Sequence, residues 1–214
     1  METAGRFTVP EKRPLRAGMT VSRGAGLSGV TWFSLGAGTG ISRESYDLPV
    51  LRLAAQGQGV CLLGPEPRRV PFGEERLLYT PGGLLCGLET DAGLIYTEII
   101  MKEDTLMNPC VTPGEAMCLK DLISYEEGSI ANLDIASNDT MKYVLMAFDE
   151  GTGLTPHRAP GDAIVFALEG EAVIGYEGKD TLLRAGECFR FAKNGLHSVT
   201  AQGRFKMALL LVLA

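Results

Sequence analysis

The two histidines of this chain, His157 and His197, lie forty residues apart in its second half. Neutral imidazoles bind transition metals, and they accept or donate protons near neutral pH. If the fold brings the two residues together, they could form a metal site or a proton-transfer site. The alternative is that both simply line a pocket, hydrogen-bonded to each other, to water or to a ligand.

A first motif surrounds His157, where His157-Arg-Ala-Pro-Gly-Asp-Ala163 is followed by Ile-Val-Phe-Ala-Leu-Glu-Gly170. This pattern resembles the first cupin motif, in which two histidines separated by one residue precede a glutamate and then a glycine. His157 and Gly170 match that motif. Ala159 stands where the second histidine belongs, and Ala163 stands where the glutamate belongs.

A second motif ends at the other histidine, in Gly186-Glu-Cys-Phe-Arg-Phe-Ala-Lys-Asn-Gly-Leu-His197. It is similar to the second cupin motif, which has a glycine, a proline, a second glycine and a histidine. Gly186 and His197 match, whereas Ala192 replaces the proline and Asn194 replaces the second glycine. The resemblance to the cupin superfamily covers about residues 140–213.

The resemblance implies a small β-barrel with metal ligands at its mouth. Ligands at positions i and i+2 of a strand share one face, because side chains alternate. In cupins, three histidines and one glutamate bind iron, manganese, zinc, nickel or copper. His157 and His197 are two of those four donors, and Asp162 is the nearest substitute, although alternation directs it away from Ala163. We therefore expect either no cofactor or a single divalent transition metal bound by His157 and His197.

A weak internal repeat links the two halves of the chain. Leu53–Val60 can be laid over Phe166–Val173, and Pro81–Cys86 over Ala192–His197. The counterpart of His197 is then Cys86, and that of His157 is about Glu44. Cys86 could be a reactive thiol, but a thiolate needs nearby positive charge and a carboxylate has the opposite effect. Buried structural cysteine is the alternative.

The rest of the chain consists of short apolar runs separated by glycine and proline, with 27 and 11 residues of these types. This pattern is typical of β-strands with tight turns, and only Cys118–Tyr125 could hold a helical turn. We predict an all-β fold of two tandem cupin double-stranded β-helix (jelly-roll) barrels. The expected bounds are residues 20–105 for a degenerate N-terminal barrel and residues 120–214 for a C-terminal barrel.

Alternation also predicts which side chains line a pocket in the C-terminal barrel. Besides His157 and His197, the candidates are Tyr143, Phe205 and Met207. An apolar cup with two imidazoles and a tyrosine fits a small, partly apolar organic ligand. In the N-terminal barrel, the aromatic residues that could line the interior or an interdomain face are Trp32, Phe33 and Tyr46.

Composition restricts the partners. The formal net charge is −6, which gives no electropositive surface for nucleic acid. The N-terminus has no apolar signal segment, and no run approaches the ~18 apolar residues of a membrane span. The five cysteines form no CxxC pair. We expect a cytoplasmic protein with reduced thiols, no nucleic-acid or membrane partner, and a small-molecule ligand. The resemblance also implies that the protein could form a homodimer.

Three hypotheses for function follow. The first is a bicupin that binds a small organic ligand near His157 and His197, with a structural N-terminal barrel. The alternative is a metal-dependent cupin enzyme of the dioxygenase, isomerase or decarboxylase type. The third is a purely structural or assembly role, with both barrels filled by side chains.

Overall fold

Short antiparallel strands, many with glycine at their turns, make up more than half of the described residues. A computed structural model describes residues 3–213. In the first part of the chain the elements are β1 (Gly5–Phe7), α1 (Val9–Lys12), β2 (Thr20–Gly24), β3 (Val30–Leu35), β4 (Thr39–Glu44), β5 (Val50–Leu63), β6 (Arg68–Gly73), β7 (Arg76–Thr80), β8 (Cys86–Thr90), β9 (Leu94–Ile100), β10 (Leu106–Met107) and β11 (Ala116–Cys118).

The second part of the chain begins with a 3₁₀ helix, Leu119–Leu122. It continues with β12 (Ile130–Ser137), β13 (Met141–Phe148), β14 (Gly153–Arg158), β15 (Asp162–Glu169), β16 (Glu171–Tyr176), β17 (Lys179–Arg184), β18 (Cys188–Phe191), β19 (Leu196–Ala201) and β20 (Phe205–Val212). The all-β prediction is confirmed, and the one helical turn expected after Cys118 is present. Among residues 3–213, no helix is long and apolar enough to span a membrane.

The chain divides into two compact units. The N-terminal unit consists of Val9–Thr105 and Pro109–Cys118. The C-terminal unit consists of the described residues of Met1–Thr8, Leu106–Asn108 and Leu119–Ala214. Strand pairing accounts for the three short segments: β1 pairs with β18 and β10 pairs with β12 in the C-terminal unit, and β11 pairs with β7 in the N-terminal unit. The predicted bounds of 20–105 and 120–214 did not include these segments.

Curled antiparallel sheets form both units. In the C-terminal unit, one sheet has the order β1-β18-β15-β20-β13-β12-β10 and the other has the order β14-β19-β16-β17. In the N-terminal unit, β5 is the longest strand and pairs with β6, β7, β8 and β9 along its length. A β-bulge between Ala54 and Gln56 bends β5, as a bulge between Ala167 and Glu169 bends β15.

Two glycines follow these bulges at corresponding places. Gly57 and Gly170 have φ angles of +79° and +71°, in the left-handed region that favours glycine. A Cβ atom would lie 2.2 Å from the carbonyl oxygen of Gly93 in one case and 2.0 Å from that of Arg204 in the other. Backbone crossing this close leaves no space for a side chain, so both turns require glycine.

Candidate functional site

The two histidines face each other across neighbouring strands, β14 and β19. His157 and His197 are directly paired in the strand register, and their ring centroids are 4.3 Å apart. The forty-residue separation is therefore closed by strand pairing. His157 is exposed, whereas His197 is 8% exposed and stacks on Phe191 at 4.3 Å.

Each imidazole uses one nitrogen to hydrogen-bond the backbone two residues before it in the chain. Nδ1 of His157 lies 2.8 Å from the carbonyl oxygen of Thr155, and Nδ1 of His197 lies 2.8 Å from that of Gly195. A carbonyl oxygen can only accept, so Nδ1 carries the proton and Nε2 has a free lone pair in each neutral ring. Burial lowers the pKa of His197, and His157 beside it lowers the pKa further. His197 is therefore neutral at pH 7.

The other predicted C-terminal residues separate into two groups. Phe205 and Met207 belong to the apolar cluster that also contains Phe191, the residue on which His197 stacks from the other sheet. Tyr143 is different: the residues of β13 that join this cluster are Met146 and Phe148. Tyr143 has the opposite parity and lies close to Cys188. It is fully buried on the other face of the sheet, so the structure does not bring it to the histidine pair.

The residues at the missing ligand positions do not complete a metal site. Ala163 is buried in the apolar cluster, and Asp162 accepts a hydrogen bond from the backbone N–H of Lys193. Among residues 3–213, no group of three or more His, Cys, Asp or Glu side chains is arranged to hold a metal ion. Transition metals usually have three or four protein ligands. The two imidazoles alone therefore do not fit the cofactor that the cupin motif implies.

The same strand register recurs in the N-terminal unit. There β4 pairs with β8, and Glu44 is opposite Cys86 just as His157 is opposite His197. In both pairs a register shift of the same kind precedes the facing residues. The sequence repeat had predicted this correspondence between Cys86 and His197, and between Glu44 and His157.

A cavity of about 230 Å³ lies beside Cys86 in the N-terminal unit. Its lining residues come from β2, β3, β4, β5, β8 and β9 and from the segment after β4. They are Thr20, Phe33, Ile41, Glu44, Tyr46, Arg52, Cys86, Gly87, Leu88, Tyr96 and Glu98. Phe33 and Tyr46 were among the aromatic residues expected to line this interior or an interdomain face. Cys86, Leu88 and Tyr96 also belong to the apolar core cluster of this unit, so the cavity borders the core.

The centre of the cavity wall is a buried ion pair. Nε of Arg52 lies 2.9 Å from Oε2 of Glu98, and the two residues are 3% and 4% exposed. Nη1 of Arg52 also donates to Oγ1 of Thr80 at 3.0 Å. Burial raises the pKa of the Glu98 carboxyl, while Arg52 and a hydrogen bond from Tyr46 lower it.

Tyr96 is the second unusual polar residue of this cavity. It is 0% exposed, and its ring stacks in parallel on Phe33 with centroids 5.0 Å apart. Its hydroxyl has no hydrogen-bond partner among the residues that the structure describes. Burial raises the pKa of this hydroxyl well above its ordinary value, so Tyr96 is neutral. Buried polar groups are nearly always hydrogen-bonded, so Tyr96 is one of a few exceptions among the described residues, as is Tyr143 in the C-terminal unit.

Sequence reasoning missed Arg52, Tyr96 and Glu98. One signal was available: the repeat aligns Arg52 with Val165, so a charged residue occupies the middle of an otherwise apolar strand. Strand pairing extends this correspondence, because Arg52 pairs with Glu98 and Val165 pairs with Leu209. The N-terminal unit thus has a charged pair, Arg52 and Glu98, at the position where the C-terminal unit has the apolar pair Val165 and Leu209.

Comparisons with known proteins agree with this architecture. Residues 144–213 match the family model described as a cupin domain. No curated protein matches the sequence. Among solved structures, a "Cupin 2 conserved barrel domain protein" from Leptotrichia buccalis is 24% identical, with a TM-score of 0.86 over 99% of this chain and 98% of that chain.

Two structures of salicylate 1,2-dioxygenase variants from Pseudoaminobacter salicylatoxidans are also similar. One is 12% identical, with a TM-score of 0.70 over 98% of this chain and 84% of that chain. The other, in complex with gentisate, is 14% identical, with a TM-score of 0.66 over 98% of this chain and 82% of that chain. At these identities the likeness extends to the fold alone. The C-terminal unit therefore carries a cupin domain, and the fold of this protein is that of the cupin superfamily.

Proposed function

We propose that the protein binds a small organic ligand in the cavity of its N-terminal unit. The observation that carries this proposal is the combination of a buried Arg52–Glu98 pair and the unpartnered hydroxyl of Tyr96 in one cavity wall. Burying such groups costs free energy unless they are hydrogen-bonded. A polar ligand that bonds to Tyr96 and to the remaining N–H groups of Arg52 would offset that cost.

The charges of the cavity favour an uncharged ligand. Arg52 is already neutralised by Glu98, and Glu44 at the cavity wall adds a further negative charge. An anion would therefore compete with Glu98 for the guanidinium and would be repelled by both carboxylates. The parallel stack of Phe33 on Tyr96 offers a flat apolar surface. At about 230 Å³ the cavity is smaller than the roughly 300–1,000 Å³ of most ligand sites, so it suits nothing larger than a single planar ring.

A matched pair of one-ring probes tests this proposal. Salicylate and its amide, salicylamide, have nearly the same shape but differ by one charge, and gentisate is a second aromatic acid. We expect salicylamide to bind more tightly than either acid in calorimetric titration. Tyr96→Phe removes only the hydroxyl, and the loss of one hydrogen bond should weaken salicylamide binding by roughly 2- to 10-fold. Tighter binding of the acids, or unchanged binding of salicylamide to Tyr96→Phe, would contradict the proposal.

The histidine pair is a second candidate site, as the sequence motifs predict. The observation in its favour is that both Nδ1 atoms are bound to backbone carbonyls, so both Nε2 atoms are available to a ligand or a metal ion. As a metal-dependent enzyme, the protein would need further donors from water, from substrate or from another chain. Metal content distinguishes the two candidates, because the N-terminal cavity needs no metal.

A further inference from the structure

Cys86 occupies the place of a cupin histidine but has different surroundings. It is the first residue of β8, it lines the cavity of the N-terminal unit, and it is 7% exposed. As a thiol, Cys86 donates a weak hydrogen bond from Sγ to the carbonyl oxygen of Gly87, 3.9 Å away. The question is therefore which groups act on the sulfur from the neighbouring strands.

A second cysteine lies beside this sulfur. Cys61 on β5 is directly opposite Leu88, two residues along β8 from Cys86, so the two cysteines share one face of the sheet. Cys61 is fully buried. Burial raises the pKa of the Cys61 thiol, so Cys61 stays protonated and is the donor when Cys86 is a thiolate.

The charged groups around Cys86 come from three strands. On β5, Arg52 provides the positive charge that the sequence alone did not reveal. Glu98 on β9 has the opposite effect, and Glu44 lies directly across from Cys86 on β4. The hydrogen bond from Cys61 is the largest influence, burial opposes it, and Arg52 supports it. Together they lower the pKa of Cys86 to about 7.

We propose that Cys86 is a nucleophilic thiol that is covalently modified by small uncharged electrophiles entering the N-terminal cavity. The nucleophile is the Cys86 thiolate, with Cys61 S–H and the Arg52 guanidinium as its stabilising groups. This proposal needs the cavity to admit a small molecule, but it does not require that the cavity has a natural ligand. With iodoacetamide, a sulfur–carbon bond forms, the carbon–iodine bond breaks, and iodide leaves with the electron pair.

The other cysteines serve as internal references. Cys188 is buried, and burial raises its pKa, so it should stay unmodified in the folded protein. Cys110 and Cys118 are half-buried. Peptide mapping after timed alkylation with iodoacetamide would measure the rate at each cysteine separately between pH 5.5 and 9.5. We expect the rate at Cys86 to rise with a midpoint near pH 7, as its lowered pKa requires.

The expected size of the effect combines two opposing factors. At pH 7 the thiolate fraction of a thiol with a pKa near 7 is about 50 times that of a thiol with the ordinary value of 9.0. A more acidic thiolate is intrinsically less nucleophilic, by roughly 10-fold over two pKa units. The rate at Cys86 should therefore exceed that of an ordinary, equally accessible thiol by only about 5-fold, and the pH midpoint is the sharper readout.

Two variants of Cys61 isolate its role. Cys61→Ala removes the hydrogen bond and should move the Cys86 midpoint towards 9, whereas Cys61→Ser keeps a donor and should leave the midpoint closer to that of the wild type. Iodoacetate, the anionic counterpart of iodoacetamide, should react more slowly at Cys86 relative to Cys110 because of Glu44 and Glu98. Cys86→Ser identifies the modified peptide.

Three results would overturn the proposal. The first is a folded wild-type protein in which Cys86 resists alkylation while Cys110 and Cys118 react. The second is a Cys86 midpoint at or above 9, and the third is a midpoint that Cys61→Ala does not change. If a Cys61 variant fails to fold, the dependence of the Cys86 alkylation rate on pH in the wild-type protein still tests the proposal. The Tyr96→Phe titration is independent of this chemistry, so failure of ligand binding and failure of thiol reactivity can be told apart.

Discussion

Arg52 and Glu98 form a buried ion pair at 2.9 Å in the N-terminal unit, at the positions where the C-terminal unit has Val165 and Leu209. The two pairs occupy corresponding places two residues before a β-bulge. The apolar pair packs into the core cluster of its unit, whereas the charged pair lines a cavity. At this place the interior is apolar in the C-terminal unit and charged in the N-terminal unit.

Replacing both members of the Arg52–Glu98 pair should be better tolerated than replacing one. Arg52→Met alone leaves Glu98 buried and uncompensated, and Glu98→Leu alone leaves Arg52 in the same state. Each single change should lower the free energy of unfolding by about 3–5 kcal/mol, because it leaves one charge buried without its partner. The double variant should be near wild type or more stable by about 1–4 kcal/mol.

Urea unfolding of the four proteins would measure these differences, and salicylamide titration would show whether the double variant has lost ligand binding. A double variant that is stable but no longer binds would indicate that the ion pair serves the ligand. If the double variant were destabilised by the sum of the two single effects, the pair would not be coupled as the structure indicates.

Stability should decline in mildly acidic solution because of His197. Burial lowers the pKa of His197 below the ordinary value of 6.5. Between the two pKa values the unfolded chain binds more protons than the folded protein, so the free energy of unfolding falls as pH decreases through this window. The stability that neutral His197 contributes to the folded protein is fully present above pH 6.5. It is lost as pH falls through the pKa of His197 in the folded state.

Replacing each histidine in turn assigns this pH dependence. His197→Asn should flatten the slope of unfolding free energy against pH just below 6.5. His157→Asn changes an exposed ring and should keep most of that slope, although it removes the smaller effect of His157 on its neighbour. Equal slopes in wild type and His197→Asn would show that another group causes the decline.

Asn194 should tolerate glycine but not a β-branched residue. Its φ angle is +61°, and Gly83, at the corresponding turn of the N-terminal unit, has +79°. Asparagine is one of the few residues other than glycine that adopts this conformation readily. Asn194→Gly should change stability by less than about 1 kcal/mol, whereas Asn194→Val should cost about 1–3 kcal/mol. Thermal and urea unfolding would compare them, and similar losses for both would argue against backbone strain as the cause.

The histidine pair should bind divalent transition metals weakly. Two neutral imidazoles are fewer than the three or four protein donors of a typical site. Protein purified without chelator should contain substoichiometric metal by elemental analysis, and His157→Ala should lower even that content. One full equivalent of a transition metal, removed by His157→Ala, would instead favour the metal-dependent enzyme.

Several sequence-based predictions are now confirmed, while others remain open. The all-β fold and the cupin resemblance are confirmed, because the glycine-bounded strands and the motifs around His157 and Gly170 reflect local backbone requirements. Ligand binding by His157, His197, Phe205 and Met207, and metal binding by the two histidines, stay predictions. Ligand binding by Tyr143 is untested as well, but Tyr143 lies on the opposite face of β13 from Met146 and Phe148. Strand alternation defined these two faces without deciding which one points to the core.

The amino-acid sequence by itself determined the strands, the left-handed turns at Gly57, Gly170 and Asn194, and the correspondence of Cys86 with His197. These follow from local conformational preference and from repeated patterns. Only the tertiary structure decided that Arg52 meets Glu98 and that Cys61 meets Cys86. Such contacts depend on which strands pair, in which register, and on which side of a bulge each side chain falls. A single-residue shift in register would turn each of these side chains to the opposite face of its sheet.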